Sequence, residues 1–179
     1  IISALSGDCQ PKNAATILTA VNSLRTSGIK ISNDAIKSGF LNVCELTGLM
    51  GRWMKLSSNP NVICDTGHNV GGWEYLSKRL ASFGDKLKMV IGFVNDKDIR
   101  SIMNMMPTDA EYYFTRASIP RALDEHEVKR VAAECGLKGE CYSSVKEAFT
   151  AAKASASNDD TIFVGGSTFV VADLLSFNS

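Results

Sequence analysis

A chain of 179 residues can bury a sizeable core and fits one domain or slightly more than one. Apolar residues make up 45% and charged residues 21%, an ordinary globular balance, while 19 basic side chains offset 19 acidic ones. The absence of net charge argues against a nucleic-acid binder or a membrane-surface protein, and no apolar run approaches the roughly 20 residues of a membrane span.

Ile1-Ile2-Ser3 has no methionine, no basic segment and no long apolar run, so the start reads as a cut into a longer protein and not as a signal peptide. The first 48 residues carry helical patterns alone. Asp8 to Asn13 lead into a helix bearing Ala15, Ile17, Leu18, Val21 and Leu24, closed by Ser27-Gly28. Ser32-Asn33-Asp34 cap a second helix through Ile36, Phe40, Leu41 and Val43, ending near Thr47-Gly48. Two helices with no strand between them make a poor independent domain, and residues 1–48 read as the tail of a larger one.

From Gly51 the pattern alternates between strands and helices. A strand over Trp53 to Ser57 is followed by the turn Asn59-Pro60 and a strand at Val62–Asp65. The run Val62-Ile63-Cys64 has no polar alternation, as expected of a strand covered on both faces. Trp73, Leu76, Leu80 and Phe83 then recur at helical spacing. Lys88 to Phe93 is a third strand; a short helix through Ile99, Ile102 and Met106 follows. Glu111 to Thr115 is the fourth strand, and Asp124-Glu125 open a helix stopped by Gly136. Glu140-Cys141-Tyr142 reads as an edge strand before a helix through Val145, Ala148 and Ala152. Thr161 to Val164, Gly165-Gly166-Ser167 and a helix through Val170, Val171, Leu174 and Leu175 close the chain. This alternation predicts an α/β fold: a mostly parallel, Rossmann-like sheet with helices on both faces, occupying residues 49–179.

Asp65, His68 and Asn69 stand where a strand gives way through Thr66-Gly67 to a helix N-terminus, the end of an open sheet where ligands bind. A turn hydrogen bond explains a lone Asp there equally well, and a structural role is common for a lone His. Arg52, beside Gly51, can stabilise phosphate charge if its strand neighbours that of Asp65, and a surface Arg beside a tight glycine explains it equally well. Asp96-Lys97-Asp98 reads better as a helix cap than as a site, and capping is the commoner explanation of Ser167. Met103, Met105 and Met106 read as core filler. No G-x-x-x-x-G-K-[ST] loop occurs, and no G-x-G-x-x-G follows a strand. Cys9, Cys44, Cys64, Cys135 and Cys141 contain no C-x-x-C pair, and only His68 and His126 could join them, so they read as reduced thiols of a cytosolic protein and no metal ligand is assigned.

Several of these pieces, in order, are Asn13-Ala14-Ala15-Thr16, Gly51-Arg52-Trp53, Asp65-Thr66-Gly67-His68-Asn69, Asp96-Lys97-Asp98, Arg121-Ala122 and Gly166-Ser167. Together they resemble the folylpolyglutamate synthase / dihydrofolate synthase family of the Mur ligase superfamily over nearly the whole chain. Val70 departs from the proline usual after His-Asn, and the small residues after the Asp come in another order. The resemblance implies that residues 1–48 are the last helices of a central ATPase domain and that residues 49–179 are the C-terminal domain of an ATP-dependent ligase. Such a ligase adds L-glutamate to a folate or dihydropteroate carboxylate through an acyl phosphate. It further implies that Asn13 contacts the adenine, Arg52 the phosphates and Asp65 the ribose hydroxyls of ATP. His68 is then a nucleotide-binding and catalytic residue, and Ser167 a residue for phosphate or the incoming glutamate. ATP and Mg2+ are the implied cofactors, with the metal ligands mostly elsewhere. The full-length enzyme is expected to be a cytoplasmic monomer that binds neither nucleic acid nor membrane, and the isolated fragment to be inactive. The alternative is a non-catalytic α/β nucleotide- or phosphate-binding regulatory module with Asp65 and Asp96 as an acidic pocket, which tight Mg2+ binding would favour. A dinucleotide-binding oxidoreductase lacks its glycine loop.

Overall fold

The computed structural model describes residues 2–95 and 98–177. The chain divides into two compact units, Ile1–Trp53 and Met54–Ser179.

The first unit is helical. Helix α1 spans Gln10–Thr26, with Pro11 in its first turn, where the missing N–H breaks no bond and the fixed φ suits the helix. Helix α2 spans Asn33–Leu41, and the Ser32 hydroxyl caps it by accepting the Ala35 N–H at 3.0 Å. The periodicity predicts one continuous helix to Thr47, but the structure breaks it at Asn42, whose φ of −112° and ψ of 20° leave the helical region. Asn42 Nδ2 donates to Ser38 Oγ at 3.3 Å, the local side-chain bonding by which Asn competes with helix continuation. Helix α3, Val43–Thr47, restarts the chain and ends on Gly48 at φ 68°, a left-handed cap. None of the three helices contains a buried residue, and Ile17, Leu24, Leu41 and Leu46 are exposed.

The second unit is a six-stranded sheet. Its strands are β1 (Met54–Ser58), β2 (Asn61–Asp65), β3 (Leu87–Ile91), β4 (Glu111–Thr115), β5 (Gly139–Tyr142) and β6 (Thr161–Gly165), in the spatial order β1-β2-β6-β3-β4-β5. Strands β2 to β6 are mutually parallel. Strand β1 is antiparallel to β2, as the short Asn59-Pro60 turn requires, since a parallel return needs a long crossover. The helices are α4 (Val70–Ala81), α5 (Ile99–Met103), α6 (Glu125–Glu134), α7 (Val145–Ser155) and α8 (Thr168–Phe177). The expected third strand ends at Ile91, two residues before Phe93.

Alternate strand residues face opposite ways. Val62, Cys64, Ile162 and Val164 pack with Val145, Ala148 and Phe149 of α7 and Val170, Val171 and Leu174 of α8. The other face carries α4 to α6. Trp73 of α4 meets Phe163 edge-on, with ring centroids 6.0 Å apart, and α6 lies along β4 and β5. So β2 exits toward one face and its neighbour β6 toward the other. Adjacent strands whose following helices diverge form a topological switch point, and the edge beyond their carboxyl ends is the position of the ligand crevice in such sheets. Among the described residues no helix is long and apolar enough to cross a membrane.

Candidate functional site

The crevice is built from two strand ends in register. Asp65 of β2 is paired with Gly165 of β6, and Gly165 in turn with Ile91 of β3. Asp65 is only 8% exposed, Thr66 7% and Ser167 2%. The Gly67 N–H donates to Asp65 Oδ1 at 2.8 Å, so the carboxylate closes an Asx turn over its own strand end. The Thr66 carbonyl lies 3.0 Å from His68 Nδ1. Asn69 then caps α4, its Oδ1 accepting the Gly72 N–H at 2.8 Å. The Trp73 indole reaches back from the first turn of α4 and donates from Nε1 to the Gly67 carbonyl at 3.2 Å.

Glycine is demanded on both sides of the crevice. A Cβ on Gly67 would fall 2.4 Å from Leu76 Cδ1, so the turn lies flush against α4. Gly166 has φ +90°, and a Cβ there would meet the Gly92 carbonyl oxygen at 2.6 Å. Beyond it, Ser167 Oγ accepts the Phe169 N–H at 3.2 Å at the start of α8. The N-termini of α4 and α8 therefore come to one edge of the sheet from opposite faces, and their dipoles favour a phosphate or carboxylate there. The Asp65 charge also acts on the thiol beside it. Burial, with that charge adding to it, pushes the Cys64 thiol up to about 12.

Asp65, His68 and Ser167 thus share one edge of the second unit. Asn13 and Arg52 belong to the first. Asn13 is exposed in the first turn of α1 and donates from Nδ2 to Gln10 Oε1 at 3.3 Å. Arg52 is half-buried between Gly51 at φ 74° and Trp53 at φ 46°, a left-handed conformation that is rare for a bulky residue. The Ser6 hydroxyl donates to the Trp53 carbonyl at 3.3 Å and helps hold that segment. Asp96 and Lys97 lie outside the described residues. Asp98 caps α5, accepting the Ser101 N–H at 3.1 Å, in keeping with the capping role expected of it.

Sequence reasoning misses the parts played by Trp73 and Thr66. Trp73 reads as helix core, yet a fully buried indole N–H needs an acceptor, and that requirement is the available signal. Thr66 acts through its carbonyl and leaves no trace in the pattern. Among the described residues no group of three His, Cys, Asp or Glu could by itself hold a metal ion.

The family described as Mur ligase, glutamate ligase domain, matches residues 51–168. A dihydrofolate synthase/folylpolyglutamate synthase of Escherichia coli is 32% identical over 166 residues, 91% of this chain and 37% of that protein. The structure of Escherichia coli FolC in complex with DHPP and ADP superposes with a TM-score of 0.74 at 30% identity, covering 98% of this chain and 39% of that one. A bifunctional folylpolyglutamate synthase/dihydrofolate synthase with Mn, AMPPNP and L-glutamate bound superposes with a TM-score of 0.71 at 29% identity, covering 88% of this chain and 37% of that one. The chain thus spans well under half the length of each.

Proposed function

Because this chain belongs to the family of the Mur ligase glutamate ligase domain, we propose that it is the C-terminal part of an ATP-dependent ligase that joins L-glutamate to a folate or dihydropteroate carboxylate. The observation that carries this reading is the crevice at the β2–β6 edge, where a buried Asp65, the His68 turn and two helix N-termini meet inside the matched region. Relatives bearing the dihydrofolate synthase/folylpolyglutamate synthase name, and related structures holding ADP with DHPP, or AMPPNP with L-glutamate, support it.

In this reading the ligase activates the folate carboxylate as an acyl phosphate, and the glutamate amine displaces phosphate. Such chemistry asks for positioning and charge neutralisation more than for covalent help from the protein. Asp65 accepts from the ribose hydroxyls. His68 and Ser167 line the site for phosphate or the incoming glutamate, each beside a helix N-terminus suited to an anion. Arg52 neutralises phosphate charge and Asn13 hydrogen-bonds the adenine, an amide offering both donor and acceptor. Helices α1 to α3 form the end of an ATPase domain, a role supported by their lack of any buried residue. Mg2+ accompanies ATP and draws most of its ligands from outside these residues. The enzyme works in the cytoplasm as a monomer.

The test is ATP-dependent transfer of labelled L-glutamate onto dihydropteroate and onto a reduced folate by the longer protein carrying this chain. Transfer to neither acceptor refutes the ligase. Undiminished transfer by Arg52→Ala refutes the part given to Arg52.

A further inference from the structure

Two successive peptide groups at the crevice are pinned by side chains, and both lead to His68. The Thr66–Gly67 peptide donates its N–H to Asp65 Oδ1 at 2.8 Å, while its carbonyl faces His68 Nδ1 at 3.0 Å. A carbonyl oxygen can only accept, so Nδ1 carries the proton. The Gly67–His68 peptide, next along the chain, gives its carbonyl to Trp73 Nε1 at 3.2 Å. Trp73 is fully buried and braced edge-on against Phe163, so this donor cannot swing away. Leu76 fills the space beside Gly67 and closes off the alternative in which the turn slides toward α4.

We propose that Asp65 and Trp73 are positioning residues for His68, acting through these two peptides to hold its ring as the Nδ1–H tautomer and leave Nε2 as a lone-pair acceptor for a donor group of the ligand, which in the ligase reading is the ammonium of the incoming glutamate. The Thr66–Gly67 peptide links carboxylate to imidazole in line: the negative charge on Asp65 polarises the N–H, and the same peptide's carbonyl becomes a stronger acceptor for Nδ1–H. Metal-bound histidines are oriented through their second nitrogen in the same manner, with a carbonyl or carboxylate fixing the tautomer. Here the two are connected in series. Among the described residues Nε2 has no hydrogen-bond partner. The consequence for ligation rests on the ligase reading above; the tautomer itself does not.

The experiment is a long-range 1H–15N correlation spectrum of the complete 179-residue chain with neutral histidine, carrying His126→Gln so that His68 is the one histidine observed. A single Nδ1–H tautomer is expected. Trp73→Phe keeps an aromatic core and removes the N–H, and it should produce a second, Nε2–H population, with a lowered melting temperature from the ring volume lost at a fully buried site. Replacement of Trp73 by 3-benzothienylalanine, which has the shape of Trp without the N–H, decides the matter if the Phe variant fails to fold. Asp65→Asn should shift the balance in the same direction. An Nε2–H tautomer in the unsubstituted ring, or an unmoved Nδ1–H signal in both Trp73 variants, overturns the proposal. Failure of the ligase reading registers instead on glutamate transfer by the longer protein, so the two failures are distinguishable.

Discussion

Asp65 and Gly165 stand opposite each other at the carboxyl ends of β2 and β6, and a Cβ added to Gly165 would sit 2.8 Å from the Asp65 carbonyl oxygen. The same Cβ would lie 2.7 Å from Phe163 Cε1. Neither neighbour yields easily, one being strand backbone and the other a buried ring against Trp73. Gly165→Ala is therefore expected to cost about 1–3 kcal/mol through overpacking, read as a lowered urea midpoint. A midpoint equal to the parent's would mean that the two strands do not approach as closely as described.

Asp65→Asn separates the turn from the charge. The amide oxygen can still accept the Gly67 N–H, so the unfolding free energy should move by less than about 0.5 kcal/mol. Asp65→Ala removes the acceptor and should destabilise by about 1 kcal/mol or more. In the longer protein both variants should lower glutamate-dependent ATP turnover by tenfold or more, since a charge-assisted hydrogen bond contributes roughly 1.5–3 kcal/mol. Equal stability losses in the two variants would show that the Asx turn is not what the carboxylate supports.

The run Val62-Ile63-Cys64-Asp65 announces the strand and marks the candidate site, because a strand covered on both faces has no polar alternation and the edge beyond its end is where ligands bind in such sheets. Local pattern carries no sheet order, however. That β6 inserts between β2 and β3, which is what brings Ser167 to the edge of Asp65, depends on a crossover returning from β5. The break at Asn42 is hidden by apolar residues that keep helical spacing on both sides of it. Trp73 illustrates a third limit: spacing puts it in the core of α4, but its indole proton is satisfied by a carbonyl outside the helix. Asp65 and Ser167 are ambiguous in the sequence between capping and binding, and both do cap a backbone N–H here.

Cys64 should be the least reactive thiol of the five. It is fully buried, and its proton is held up to about 12 by burial first and by the Asp65 charge second. Cys9, Cys44, Cys135 and Cys141 are all partly accessible. Iodoacetamide at mildly alkaline pH, followed by peptide mass spectrometry, is expected to modify Cys64 only after unfolding. Modification of Cys64 at the rate of the other four in the native chain would contradict its buried position on β2.

Lys88 and Glu111 are register partners on β3 and β4, at the end of the sheet opposite the crevice, and their side chains form an ion pair. The hydrogen bond from Lys88 holds the Glu111 carboxyl below the usual carboxylate range, against burial that raises it. On Lys88 burial acts downward, but the Glu111 hydrogen bond and the neighbouring Tyr113, Glu111 and Asp160 charges outweigh it and raise the ammonium. The signs follow. A carboxyl depressed in the folded state contributes stability above its unfolded value, about 4.3, and loses it as pH falls through the folded value. A raised lysine contributes below about 10.4 and loses that contribution as pH rises through the folded value. Glu111→Gln should therefore be less stable than the parent at neutral pH, by under about 1 kcal/mol because the glutamate is half exposed. The gap should narrow as pH drops below about 4.3, where the parent's own carboxyl takes up a proton. Urea midpoints of the two proteins across that acid range check this: a gap that stays constant with pH would mean that Glu111 contributes packing and no charge.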